Sequence, residues 1–349
     1  MTSLTLFTPA GALAKAAPLK LAAKRLKALG FDLHIDESAL ARYQRFAGDD
    51  DTRLATLHRV ATQAPGVALA TRGGYGMTRL LDRIDWSLIS RSIEAGTRWV
   101  GQSDFTAFQL GALAHAKKGQ PAITWAGPLA CDDFWRTEAD GGVDDITEPC
   151  FMEAMSGELE AIGFREASGV RAGVDFDGLD VCGTLWGGNL CMVNSLLGTP
   201  HFPRIKGGVL FLEDVNEHPY RIERGLLQLQ QAGVLDAQKA VVLGAFTGFR
   251  KSPLDRGFDM KAVVQHLRSV TKTPILVGLP FGHVPTKVTM PVGAKVTLLV
   301  QGRNVLIGWD HGHDHGQAHD HEHGADTGHA HSDDHAHHDG HSHEPVPPA

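Results

Sequence analysis

Over its first 120 residues the chain alternates short apolar runs with helical stretches, and glycine closes many of them. Residues 4–7 read as a strand. Residues 18–29 read as a helix rich in Ala, Leu and Lys that stops at Gly30, and residues 31–35 as the next strand. Residues 50–63 form a helical pattern with acidic residues in the first turn, where they suit the helix dipole. The apolar run 66–71 is a third strand, followed by Arg72-Gly73-Gly74-Tyr75-Gly76. A helix, a strand and a helix then lead to Gly119. Strands alternating with helices of this length predict a parallel sheet covered on both faces. Ligands of such sheets bind beyond the carboxyl ends of the strands, where both the glycines of 73–76 and Ser103 fall.

The pattern changes after residue 134. Periodicity weakens through 134–182, which reads as a linker and the start of a second domain. Runs at 208–213, 240–246, 274–279 and 287–300 read as further strands of that domain, with a helix opened by Pro219 and closed by Gly233. The expected architecture is α/β: a doubly wound parallel-sheet domain over 1–145, a β-rich domain over 146–309, and a tail over 310–349. That tail holds thirteen of the twenty His, mixed with Asp and Gly and almost nothing apolar. Such a segment is expected to be disordered.

Composition narrows the function. Nine of the 40 acidic residues lie from Asp310 onward, where there is no Lys or Arg. The body therefore carries 33 basic against 31 acidic residues, and no basic face points to nucleic acid. No apolar run reaches the roughly 18 residues of a membrane span. The first residues lack a basic segment before their apolar run, so they read as a strand and not as a secretion signal. Four Cys without C-x-x-C spacing read as reduced thiols. The expected location is cytoplasmic.

Ser103 is the candidate nucleophile. It follows a β-type run ending in Gly101 and precedes a helix. At such a turn the hydroxyl stands clear of the sheet, and the next N–H points where an oxyanion would form. Ser and Asp also favour helix caps, and Asp104 is expected to cap here, so the segment alone decides nothing. A Ser hydroxyl needs an imidazole to take its proton and a carboxylate to orient that imidazole. Outside the tail lie His34, His58, His115, His201, His218, His266 and His283. His283 follows Leu279-Pro280-Phe281-Gly282 in a loop, where functional side chains concentrate. Among carboxylates, Glu213 ends the apolar run 209–212, where an unpaired charge is costly; Asp214 and Glu217 are rivals.

Five segments together resemble the LD-carboxypeptidase family: 72–76, Gly101-Gln102-Ser103-Asp104-Phe105-Thr106-Ala107, Gly183-Thr184-Leu185-Trp186-Gly187-Gly188-Asn189-Leu190, 212–221, and Gly278-Leu279-Pro280-Phe281-Gly282-His283. The resemblance covers roughly residues 3–308. It implies a Ser, Glu, His triad at Ser103, Glu213 and His283, which favours Glu213 over Glu217. It also implies oxyanion donors at the backbone of Asp104 and Gly74. Its fold implies that Ser103 lies on the N-terminal domain and that Glu213 and His283 lie on the second. Phe105 replaces the last Gly of a G-x-S-x-G elbow, which argues against an ordinary α/β-hydrolase.

The remaining candidates have paired readings. The glycines of 73–76 lack the third Gly and acidic partner of a dinucleotide fingerprint; as a loop near a substrate carbonyl they fit a hydrolase. Trp186 either lines the cleft or packs between domains. Arg221 either meets a substrate carboxylate or pairs with Glu217 or Glu223. In the tail, His311, His313, His315, His335, His337 and His338 offer weak sites for Ni²⁺, Zn²⁺ or Cu²⁺, without the spacing of a closed zinc site. The chemistry itself needs no cofactor.

The resemblance thus implies a serine carboxypeptidase of murein recycling. It would release terminal D-Ala from a murein tetrapeptide, at the bond from the L-centre of the third residue, through an acyl-enzyme. A homodimer is the expected assembly, with no membrane partner. Two alternatives stay open: a microcin-immunity-type hydrolase of peptide–nucleotide conjugates, and a metal-binding or delivery protein acting through the tail.

Overall fold

In a computed structural model, which describes residues 1–118, 120, 122–166 and 175–309, thirteen strands fall into two sheets. The first contains β1 (Ser3–Phe7), β2 (Asp32–Ile35), β3 (Val67–Ala70), β4 (Arg98–Gly101) and β5 (Thr124–Ala126), all parallel. Its spatial order is β5-β4-β3-β1-β2. On one face pack α1 (Ala17–Ala28), through Leu19, Ala22 and Leu26, and α5 (Thr147–Ser156), through Phe151 and Ala154. On the other pack α2 (Asp50–Gln63), α3 (Trp86–Glu94) and α4 (Thr106–His115), through Leu57, Val60, Ile89 and Phe108. Helices on both faces are why β3 is buried along its whole length, as parallel strands usually are.

The second sheet runs β10-β9-β8-β7-β12-β13-β6. Its parallel half is β7 (Asp180–Asn189), β8 (Val209–Val215), β9 (Ala240–Thr247) and β10 (Ile275–Val277). Its antiparallel half adds β12 (Lys295–Gln301), β13 (Asn304–Gly308) and β6 (Ala161–Arg165). The alternating burial of β12 fits one covered face. The helices α6 (Leu190–Leu196), α7 (Pro219–Gln231) and α8 (Met260–Val270) cover the parallel half, through Val193, Leu226 and Leu267.

Two expectations are corrected. The run 287–300 is not wholly a part of the second sheet: β11 (Met290–Val292) pairs antiparallel with β5 of the first, Met290 opposite Ala126. The segment after 134 is more than a linker, because α5 buries Phe151, Ala154 and Met155 in the core. The expected tail sites at His311, His313, His315, His335, His337 and His338 lie outside the described residues.

Helix α5 also anchors the loop that leads away from His283. Thr147 Oγ1 donates to Pro285 O (2.9 Å) and accepts from Lys287 N–H (2.8 Å). Thr286 Oγ1 donates to Asp144 Oδ2 (2.6 Å), and Thr289 N–H donates to Cys150 Sγ (3.2 Å). Lys287 Nζ meets Asp133 Oδ1 at 2.6 Å, with both side chains buried. Removing one partner of such a pair strands the other charge. Lys287→Ala is therefore expected to lose about 3–5 kcal/mol of stability, read from urea unfolding; a loss under about 1 kcal/mol, the range of an exposed pair, would contradict the pairing.

Candidate active site

All the parallel strands that bear on the site end on it. Beyond β4 the chain turns sharply: Ser103 has φ of +63° and starts a single 3₁₀ turn, Ser103–Phe105, that runs into α4. A left-handed backbone at a residue with a Cβ is strained. The fold holds it there by burying Phe105, whose ring stacks on Phe108 at 4.7 Å. Asp104 does not cap α4, which has no side-chain cap. Its carboxylate instead accepts from Met77 N–H (2.7 Å) and from the Gly76 backbone, tying the elbow to the loop after β3. Burial pushes the Asp104 carboxyl up to about 6.

That loop lies directly over the nucleophile. A Cβ on Gly73 would sit 2.8 Å from Ser103 Oγ and 2.7 Å from its Cβ, closer than atoms can pack. Among the described residues, the backbone N–H groups of Gly74 and Asp104 have no protein partner.

The carboxylate comes from β8. Glu213 is fully buried, and the pairing of β8 with β9 shifts register between Leu212 and Asp214. The extra residue lies on β9, so Ala245 N–H is diverted from the ladder and donates to Phe281 O (2.9 Å). Bulges commonly re-aim chains at sites; this one draws the loop after β10 across Glu213. Gly282 there has φ of +132°, and a Cβ on it would lie 3.0 Å from Glu213 Oε2. The next residue, His283, donates from Nδ1 to Glu213 Oε2 at 2.8 Å, and its Nε2 lies 3.0 Å from Ser103 Oγ. Burial lowers the His283 pKa, but the Glu213 hydrogen bond and charge outweigh it, and the net shift is upward from 6.5.

Asn189, at the end of β7, was not singled out by sequence. Its Nδ2 donates to Glu213 Oε1 (3.1 Å) and to Asp214 Oδ1 (3.0 Å). Its backbone N–H donates to Thr106 Oγ1 (3.1 Å), joining the acid to the helix behind Ser103. The position after Gly187-Gly188 at a strand end was the available signal. Asp214, the rival carboxylate, is buried and bonded to the Cys191 and Val215 N–H groups, and burial pushes it up to about 6. Asp132, also missed, is held above the usual carboxylate range by the protein around it and by Asp133, while Arg72, Lys287 and His283 pull it down.

Two substrate-binding expectations are corrected. Trp186 is fully buried in the apolar core, with Nε1 donating to Gln238 Oε1 (3.0 Å) and its ring against Phe202, so it lines no cleft. Arg221 Nε pairs with Glu217 at 2.5 Å on α7, the alternative the sequence left open. Among the described residues, no three His, Cys, Asp or Glu side chains converge as a metal-ligand set.

Family models of the LD-carboxypeptidase N-terminal and C-terminal domains match residues 4–120 and 182–298. The chain belongs to the LD-carboxypeptidase family. It is similar to a muramoyltetrapeptide carboxypeptidase from Oxalobacter formigenes, with 38% identity, a TM-score of 0.76, and 88% of this chain and 99% of that one covered. It is 29% identical to the murein tetrapeptide carboxypeptidase of Pseudomonas aeruginosa, over 84% of this chain and 92% of that protein. A microcin C7 self-immunity protein matches with a TM-score of 0.75 over 88% of this chain and 96% of its own, but at 20% identity; that likeness shows the fold alone. Members of this family are hydrolases of the serine carboxypeptidase type, and this chain is one of them.

The clearance at Gly73 is directly testable. Gly73→Ala is expected to reduce kcat by about 10²-fold or more, as misplacement of reacting groups by an ångström does, and to lose about 1–3 kcal/mol of stability to overpacking while staying folded in the assay. Activity within about threefold of wild type would contradict the close approach.

Proposed function

We propose that this enzyme releases the terminal D-alanine of murein tetrapeptides, cleaving the bond from the L-centre of the third residue. The observation that carries the mechanism is the unbroken hydrogen-bonded chain Ser103–His283–Glu213 beneath a strained serine. Relatives named for murein tetrapeptides support the substrate.

His283 Nε2 takes the Ser103 proton as Oγ attacks the scissile carbonyl carbon. The tetrahedral oxyanion is received by the free N–H groups of Asp104 and Gly74, donors fixed before the charge develops. His283 then gives its proton to the departing amine, D-alanine leaves, and an ester to Ser103 remains. Water, deprotonated by His283, hydrolyses the ester and returns the serine. The Glu213 carboxylate holds the Nδ1–H tautomer and stabilises the imidazolium. Asn189 keeps the Glu213 carboxylate in place as a positioning residue. The four cysteines are unpaired, which suits a reducing cytoplasm, and no helix among the described residues is long and apolar enough to cross a membrane.

Purified protein incubated with murein tetrapeptide in EDTA is expected to release D-alanine, and Ser103→Ala to lose about 10⁴- to 10⁶-fold in kcat. Release abolished by EDTA, or unaffected by Ser103→Ala, would contradict this mechanism. The reactive His283 is neutral, so activity falls with acid, and its raised pKa puts the acid limb of kcat/KM above 6.5. In Glu213→Gln the charge that raises it is gone while burial remains. The limb should move to lower pH as kcat falls by about 10⁴-fold; an unmoved limb would assign that titration to another group.

A further inference from the structure

Beside the oxyanion loop lies a cavity of about 230 Å³ whose lining includes Arg42, Arg45, Arg72, Tyr75 and Gly74, with no acidic residue among the lining. Three loops that are hydrogen-bonded to one another build it. Gly11 N–H donates to Gly73 O (3.1 Å), Ala12 N–H to Arg45 O (2.9 Å), and Ala47 N–H to Ala10 O (3.0 Å). Tyr43 and Phe46 close the turn that carries Arg45, with Arg42 just before it, through two bonds of 2.9 Å. These bonds fix the backbone that carries the arginines relative to Gly74.

Arg72 is the innermost. Its Nη1 donates to Ala12 O at 2.8 Å, and Nη2 lies 3.7 Å from where a Cβ of Gly74 would stand. Its remaining guanidinium N–H groups have no partner among the described residues. Arg45 lies 5.8 Å from the centre of the Tyr75 ring, and neither it nor Arg42 has an ion-pair partner among the described residues. The acidic groups that sense these arginines are Asp104, held by the backbone of 76–77, and Asp132, on the His283 side; neither lines the cavity.

We infer that this cavity binds the free α-carboxylate of the residue that leaves, and is what makes the enzyme a carboxypeptidase. The inference rests on the reaction proposed above. The carboxylate carbon of a terminal residue is three bonds, about 3–4 Å, from the scissile carbon. A group received at the Gly74 N–H therefore brings that carboxylate to the arginines beside Gly74. Guanidinium forks bind carboxylates bidentately. The volume is below the roughly 300–1,000 Å³ of drug-sized ligand sites, which suits one small residue and not a continuing peptide.

The test compares murein tetrapeptide ending in D-alanine with the same peptide ending in D-alanine amide. Wild type is expected to favour the acid by about 100-fold in kcat/KM, two charge-assisted contacts' worth. The double variant Arg42→Ala/Arg45→Ala, on an exposed turn, and Arg72→Lys, which keeps charge but loses the fork, should each slow the acid by about 10- to 100-fold. The amide should change less than about threefold, so the ratio collapses; circular-dichroism melting identifies any variant that has lost its fold. An unchanged ratio in both variants overturns the inference, as does equal slowing of acid and amide, which would assign the arginines to another anion of the peptide. Wild type cleaving both equally overturns it while leaving the serine mechanism standing. Wild type cleaving neither overturns the reaction and the inference together.

Discussion

A 3.0 Å hydrogen bond between Ser103 Oγ and His283 Nε2 joins side chains 180 residues apart, carried by loops that follow strands of two different sheets. Neither residue can do chemistry without the other, and neither sheet supplies both. Much of the surrounding structure fixes that distance. The left-handed Ser103 points its hydroxyl out of the first sheet, and Gly73 alone leaves room for it. The bulge on β9 brings the His283 loop over Glu213. The Asn189 bonds to Thr106 and Glu213 tie the two sheets together behind the reacting atoms.

The electrostatics follow from burial. Glu213 has no exposed surface, so its charge is tolerated only because His283 and Asn189 both donate to it. The same pairing raises the His283 pKa against the pull of desolvation. A buried carboxylate thus sets both the orientation and the basicity of the imidazole. Asp104 and Asp214, the residues after the nucleophile and after the acid, are each buried and each accept backbone N–H groups. They hold the loops that carry the reactive side chains.

Much of this was legible in the sequence because local pattern dictated it. The helix read over 50–63 is α2, with Asp49 capping it through Thr52 N–H, and the strands read near 4–7 and 240–246 are β1 and β9. Ser103, Glu213 and His283 could be named because chemistry limits the residue types and a family resemblance fixed their order. What failed depends on tertiary placement. A three-residue strand such as β11 carries no mark of which sheet will accept it, and it pairs with β5 across the chain. Trp186 between glycines gives no direction, and both faces of β7 near it are covered. Helix α5 and its bonds to the His283 loop were hidden because Thr147 and Cys150 bond to segments some 140 residues away. Arg42 and Arg45 were not singled out, because the backbone bonds of 10–12 that bring their segment beside Gly74 join loops distant in the chain.

The account's central claim is that Ser103, activated across the two sheets by His283, carries the peptide covalently. Mixing enzyme and murein tetrapeptide, quenching in acid within milliseconds and sequencing the digest by mass spectrometry tests it most directly. The account predicts an adduct on the Ser103 peptide with the mass of the acyl fragment that remains after D-alanine has left, and no adduct in His283→Ala. D-alanine released in step with free tripeptide, with the Ser103 peptide unmodified at every time, would contradict it.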